Sequence, residues 1–198
     1  MKGCLTFIFK TIIAVLVFFG LLHLGIIDFI RDKIDENKGS SQEKIYEDTK
    51  DIIDLTEIND EYTIDKNLKI LQNRMIVAEH NVTGQKMIMI EPKNGDFLTK
   101  EDIDEEDLQE KIEKLINKYR IVKFDKIQIV KKDTFKGVGQ EIPYAKVKAE
   151  ISSLPIKDIE GIVGVAELKN GKNLIVVSVN EKGKYSQIIA EAFYSQVK

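Results

Sequence analysis

The chain holds 198 residues, 43% of them hydrophobic and 32% charged, with a formal net charge of −3. Two His and one Cys are too few for a zinc centre, so that chemistry is excluded and no metal or cofactor is expected. Arg occurs only at 31, 74 and 120, and no aromatic ladder alternates with the lysines, so nucleic acid is not an expected partner.

The first element is a strongly apolar run from Thr11 to Ile30. Its 20 residues, at about 1.5 Å of helical rise each, match the roughly 30 Å hydrocarbon core of a bilayer. A core helix of a globular domain would carry a polar stripe, whereas Thr11 to Ile27 is apolar all round except at Thr11 and His23. The run therefore reads as a single-pass transmembrane helix, residues 1–30 being a membrane anchor whose partner is the lipid bilayer. Cleavage as a signal peptide is not expected, because His23-Leu24-Gly25 sets an imidazole where a small side chain belongs. Cys4 precedes the run, which excludes a lipoprotein cysteine, and Lys2 stands where N-myristoylation needs Gly. Counting Lys2 and Lys10 against Arg31, Lys33, Lys38 and Lys44 favours a cytoplasmic body, while the short tail ahead of the span favours translocation. The reading adopted is a signal anchor with an extracytoplasmic body.

Residues 31–66 form a polar tether and an acidic arm. Arg31 to Glu43 is too polar to bury anything and breaks at Gly39. Lys44 to Asp65 scatters Ile45, Ile52, Ile53, Leu55 and Ile58 among acids, and it fits a short helix or an irregular arm equally. From 67 to 198 the pattern is that of a soluble α+β domain. Lys69 to Glu79 and Lys86 to Glu91 read as the strands of a hairpin whose turn carries Gly84. Pro92, Asn94 and Gly95 end that hairpin, and a helix follows with Leu108, Ile112, Leu115, Ile116 and Tyr119 along one stripe. Thr99 and Asp104 are the expected N-caps of a lead-in turn and of the main helix.

Two strands follow, Ile121 to Lys131 and Tyr144 to Ile151. The second alternates, with Ala145, Val147, Ala149 and Ile151 on one face and Lys146, Lys148 and Glu150 on the other. The connection from Asp133 to Pro143 holds Gly137-Val138-Gly139, which lacks the third Gly and the following helix of a phosphate loop. The last segment echoes the first hairpin. Val165-Ala166-Glu167 repeats Val77-Ala78-Glu79, and Leu174-Ile175-Val176-Val177 matches Met87-Ile88-Met89-Ile90. A final helix carries Tyr185, Ile188, Ile189, Ala192 and Phe193. These echoes fit a duplicated hairpin-helix unit, an internal repeat, or two ordinary hairpins that converged. The expected fold is a curved antiparallel sheet of about six strands with two helices on one face.

No catalytic constellation stands out. His80 sits at a predicted turn without an elbow motif and reads as an exposed turn residue. Glu101 to Asp107 lacks the Gly and the spaced final Glu of an EF-hand, so it reads as solvated acids at a helix start. Asn81-Val82-Thr83 is an N-glycosylation sequon on a turn. Charge segregation is the feature that points to a partner, since Lys111 to Lys136 holds nine Lys or Arg against Glu113, Asp125 and Asp133. Lys123, Lys126, Lys146 and Lys148 are therefore the candidate ligand-binding residues of a basic sheet face that would meet an anionic lipid, a glycan or an acidic protein. The plainer reading makes the same lysines solvating guards of a sheet edge.

Three functions fit this sequence. The favoured one is a non-catalytic binding or scaffolding module at the membrane. The second is a carrier of a small amphiphilic ligand lodged between sheet and helices and lined by Met75, Met87 and Met89. The third is an enzyme that works with carboxylates alone.

Overall fold

The computed structural model describes residues 42–70, 73–92, 99–110, 124–151 and 158–198. The expected anchor at Thr11 to Ile30 lies outside them, and no helix among the described residues is long and apolar enough to cross a membrane. In chain order the elements are α1 (Gln42–Thr49), β1 (Tyr62–Ile70), β2 (Asn73–His80), β3 (Lys86–Glu91), α2 (Lys100–Asp104), β4 (Phe124–Gly137), β5 (Gln140–Ile151), β6 (Asp158–Glu167), β7 (Asn173–Glu181) and α3 (Gln187–Gln196).

The strands form one antiparallel sheet in the order β1-β2-β3-β7-β6-β5-β4. The sheet has seven strands, not six, and the class is α+β. Two misreadings account for the difference. The run from Lys69 to Glu79 is not one strand: β1 ends at Ile70 and β2 starts at Asn73. The body also starts by Gln42 rather than at 67, because Ile45, Ile53, Leu55, Tyr62 and Ile64 are buried in the same cluster as α3.

The supposed long connection from Asp133 to Pro143 is instead the closed end of the longest hairpin. β4 and β5 pair down to Gly137↔Gln140, leaving only Val138 and Gly139 as the turn. Both have positive φ, 51° and 69°, as a two-residue turn matched to strand twist requires. A β-branched residue is strained there. Val138 is held by its N–H, which donates to the Tyr194 carbonyl at 2.8 Å, and by packing of its side chain on the core.

Alternate residues of a strand face opposite sides, so the pairing Ala78↔Met87↔Ser178↔Ile162↔Lys146 defines one row of a front face. On it α3 lays Ala190, Phe193, Tyr194 and Val197, spaced three, one and three residues apart and all fully buried. Tyr62 reaches the same helix, its hydroxyl donating to the Ile189 carbonyl at 3.0 Å. The back face carries Met75, Val77, Ile88, Ile90, Val163, Val165, Ile175 and Val177, all buried. There α2 packs on β5 and β6. Lys132, which pairs with Ala145 on that face, donates to the Glu105 carbonyl at 2.6 Å.

α1 and α3 share the front and α2 takes the back; of the two helices expected on one face, the one striped from Leu108 to Tyr119 lies mostly outside the described residues. β3 is interior and β4 is the far edge, and α2 lies in the chain between them. Leu108 to Glu110 are helical, and the rest of the predicted stripe, from Ile112 to Tyr119, lies outside the described residues.

The two hairpins that resemble each other meet at β3 and β7. Met89 pairs with Val176, its own counterpart, while Ile88 pairs with Val177 and Ile90 with Ile175, each the counterpart of the other's match. A local two-fold therefore runs through the Met89↔Val176 pair. Among the described residues the relation is seen in the strands. Tyr194 sits over this seam. Its buried hydroxyl donates to the Val177 carbonyl at 2.6 Å and accepts from the Ile88 N–H at 3.3 Å, and burial pushes the phenol pKa well up.

Candidate functional site

Of the four lysines singled out by sequence, Lys123 lies outside the described residues, and the structure brings the other three to the front face. Lys126 pairs with Glu150, Lys148 with Gln128 and Glu160, and Lys146 with Lys131 and Ile162. This is the part of the front face beyond the reach of α3, where Lys126, Gln128 and Glu150 are exposed. Acids interleave with the lysines throughout. Glu150 pairs with Asp158, and Asp158 accepts from Lys182 Nζ at 2.9 Å. The face is a charge mosaic rather than a basic patch.

At the margin of α3 the mosaic becomes semi-buried. Lys146 Nζ lies 2.7 Å from Glu160 Oε1, with the two side chains 24% and 13% exposed. The same ammonium stands 5.5 Å from the centre of the Tyr185 ring, within cation–π range. It is committed on both sides and does not offer a free cation to an anion. The Tyr185 hydroxyl is the one fully buried side-chain polar atom among the described residues without a hydrogen-bond partner. Burial first, then Tyr144, Glu191 and Glu160 nearby, pushes its phenol pKa well above the ordinary range. Gln187 Nε2 donates to the Tyr144 hydroxyl at 2.6 Å and to Glu191 Oε1 at 2.7 Å.

The start of α3 is fixed by a neutral amide. Gln85, fully buried, donates from Nε2 to the Ser186 carbonyl at 2.8 Å and to Ser178 Oγ at 2.9 Å, and accepts from the Ser186 N–H at 2.8 Å. This bidentate pairing does what a strand neighbour's peptide would do. Asn180 adds a bond from Nδ2 to the Thr83 carbonyl at 3.2 Å. Turn, sheet and helix are thereby joined around the cluster of Tyr144, Lys146, Glu160, Tyr185 and Gln187.

The remaining candidates fall into structural roles. His80 is half-buried rather than exposed; its Nδ1 accepts from the Thr83 N–H at 3.2 Å, and its ring lies edge-on to Tyr62 at 5.3 Å. Thr99 caps α2 as expected, with Asp102 completing a reciprocal capping box, which gives one acid of the Glu101 to Asp107 run a structural task. Asn81 is exposed, and its Nδ2 donates to the Asp60 carbonyl at 2.8 Å. Met75 is buried on the back face and Met87 and Met89 on the front, so the three do not line one chamber. Among the described residues no three His, Cys, Asp or Glu side chains gather as a metal site.

Sequence reasoning missed Tyr144, Glu160, Tyr185 and Gln187. Tyr144 carried a signal, since the alternation that placed Lys146 and Lys148 on one face places it there too. Glu160 carried none, because strand register alone brings it to Lys146. No protein-family model matches the chain, and no curated protein matches it.

Proposed function

We propose that this chain is a single-pass, membrane-anchored, non-catalytic binding or scaffolding module whose body lies outside the cytoplasm. The observation that carries the reading is the 20-residue apolar run from Thr11 to Ile30 ahead of a polar, charged body. The polar side chains at the margin of α3 support it further, because Lys146 with Glu160, and Gln187 with Tyr144 and Glu191, are engaged with one another rather than convergent on a reacting group. In this reading the seven-stranded sheet is carried on a transmembrane helix through residues 31–41. The two-fold register about Met89 and Val176 favours a common origin of the two hairpins.

The open mosaic of Lys126, Lys148, Glu150 and Asp158 is the surface offered to a partner. Glu150 and Asp158 repel a uniformly anionic sheet of lipid, whereas a glycan, or a single acidic side chain of a protein set against Lys126 or Lys148, can avoid them. Alkaline extraction of membranes tests the anchor: the chain is expected to stay in the pellet and to leave it only with detergent. Protease added to intact cells is expected to degrade the body. Recovery of the full-length chain in the aqueous fraction overturns the reading. Lys126→Glu and Lys148→Glu are expected to weaken partner capture while leaving the midpoint of thermal unfolding unchanged.

A further inference from the structure

The segment between the predicted anchor and the sheet is held in two unequal ways. From Ile53 onward it is locked. Ile53 and Leu55 are 2% and 1% exposed. Asp54 exchanges backbone bonds with Lys198 at 2.5 and 3.0 Å, and the Asn59 N–H donates to Gln196 Oε1 at 2.8 Å. Asn81 closes the far end on the carbonyls of Asp60 and Glu61, each at 2.8 Å.

Ahead of Ile53 the hold is slight. α1 has eight residues, and the first four amides of any helix lack an intrahelical acceptor. Ile45 and Thr49 are buried, with Tyr46 and Ile52 partly packed on the core, and Thr49 Oγ1 donates back to the Ile45 carbonyl at 2.9 Å. A further attachment is Arg74 of β2, whose guanidinium grips both Asp51 carboxylate oxygens, at 2.5 and 2.8 Å, and donates to the Asp48 carbonyl. The Asp51 side chain is 67% exposed, so this clamp is open to water and salt. A short helix with little buried apolar surface and a solvated clamp belongs among the first parts of a protein to open.

We propose that α1 is a releasable extension of the membrane tether, clamped to the sheet by Arg74, with its opening stopped at the Asp54–Lys198 pair. The inference rests on the anchor reading of Thr11 to Ile30. Its consequence is reach. With the clamp shut, the eleven residues 31–41 separate anchor from body and span at most about 40 Å. With it open, residues 31–52 give twenty-two, and a span of up to about 75–80 Å. The body then meets partners roughly twice as far from the bilayer, at no cost to its sheet.

Amide hydrogen exchange on the full chain in lipid vesicles tests this. Peptides covering Tyr46 to Ile53 are expected to exchange at least about tenfold faster than β7. Arg74→Ala and the gentler Asp51→Asn are each expected to speed them a further several-fold and to leave β7 unchanged. Exchange of α1 in step with β7, or indifference to both variants, overturns the proposal. Energy transfer from a dye on Lys184→Cys, in a Cys4→Ser background, to a headgroup acceptor is expected to fall in Arg74→Ala; unchanged transfer also counts against it. Failure of the chain to float with vesicles overturns the anchor reading instead, and the exchange result still judges the clamp.

Discussion

Both ends of the sheet use a glutamine amide in place of a peptide, in opposite surroundings. At the end where β2 turns into β3, Gln85 is fully buried and pairs with both backbone groups of Ser186 among neutral neighbours. At the other end Gln140 is half-exposed. It donates to the Glu167 carbonyl at 2.6 Å, accepts from the Glu167 N–H at 3.1 Å and takes a third bond from Lys100 Nζ at 2.8 Å. Charges crowd that second end, where Glu91 lies 2.7 Å from Lys172 and 3.9 Å from Arg74. Geometry alone therefore does not set the worth of a hydrogen bond. A partner lost at the buried end strands donors and acceptors away from water, whereas water replaces it at the wet end.

The largest expected effect is therefore at Gln85. Gln85→Leu removes the partner of the Ser186 N–H and the Ser178 Oγ bond and leaves the Ser186 carbonyl only the long bond from the Ala190 N–H, and a loss of about 2–3 kcal/mol is expected in urea unfolding. A loss below about 1 kcal/mol would remove the contrast between the ends. Glu91→Ala should cost less, about 1–2 kcal/mol, because Arg74 and Lys172 both retain access to solvent. Gln140→Ala is expected to cost under about 1 kcal/mol, water satisfying Glu167.

The smallest effects differ in sign with pH, and so sharpen the comparison most. Hydrogen bonding to Arg74 holds the Asp51 carboxyl below its ordinary 3.8. Its contribution is present above that value and is lost as pH falls through the lower folded-state value. The opening of α1, read as exchange relative to the intrinsic rate at each pH, should increase only below about pH 4, and 0.5 M salt should increase it at neutral pH. Gln85→Glu should show the reverse. A carboxylate facing the Ser186 carbonyl is favoured only when protonated, so its folded-state pKa is raised and stability is lost as pH rises through it. The deficit of that variant relative to the parent is expected to shrink between pH 7 and pH 4.

What the sequence made legible depended on whether a strand has two distinct faces. β5 alternates apolar and charged residues, and its faces were assigned correctly. Both hairpins that flank the seam were legible from their apolar runs. β1 was not, since only Tyr62 and Ile64 mark its start and the rest reads Asp-Lys-Asn-Leu-Lys-Ile. The far half of β4 was lost for a related reason. It is an edge strand, and its exposed Lys131, Asp133, Thr134 and Lys136 give it the composition of a loop. Lys146, Lys148 and Glu150 follow from the alternation of β5, but Glu160, which neutralises Lys146, comes from β6, and pairing between strands leaves no local trace.

Among the described residues the two halves of the sheet, β1 to β3 and β4 to β7, pair along the β3–β7 seam, and the side chain that rides that join, Tyr194, comes from α3, which follows every strand in the chain. A ribosome must therefore release all seven strands and then α3 before the join is braced. A nascent chain stopped after β7 would present two neighbouring half-sheets with the greasy floor under Phe193 still wet.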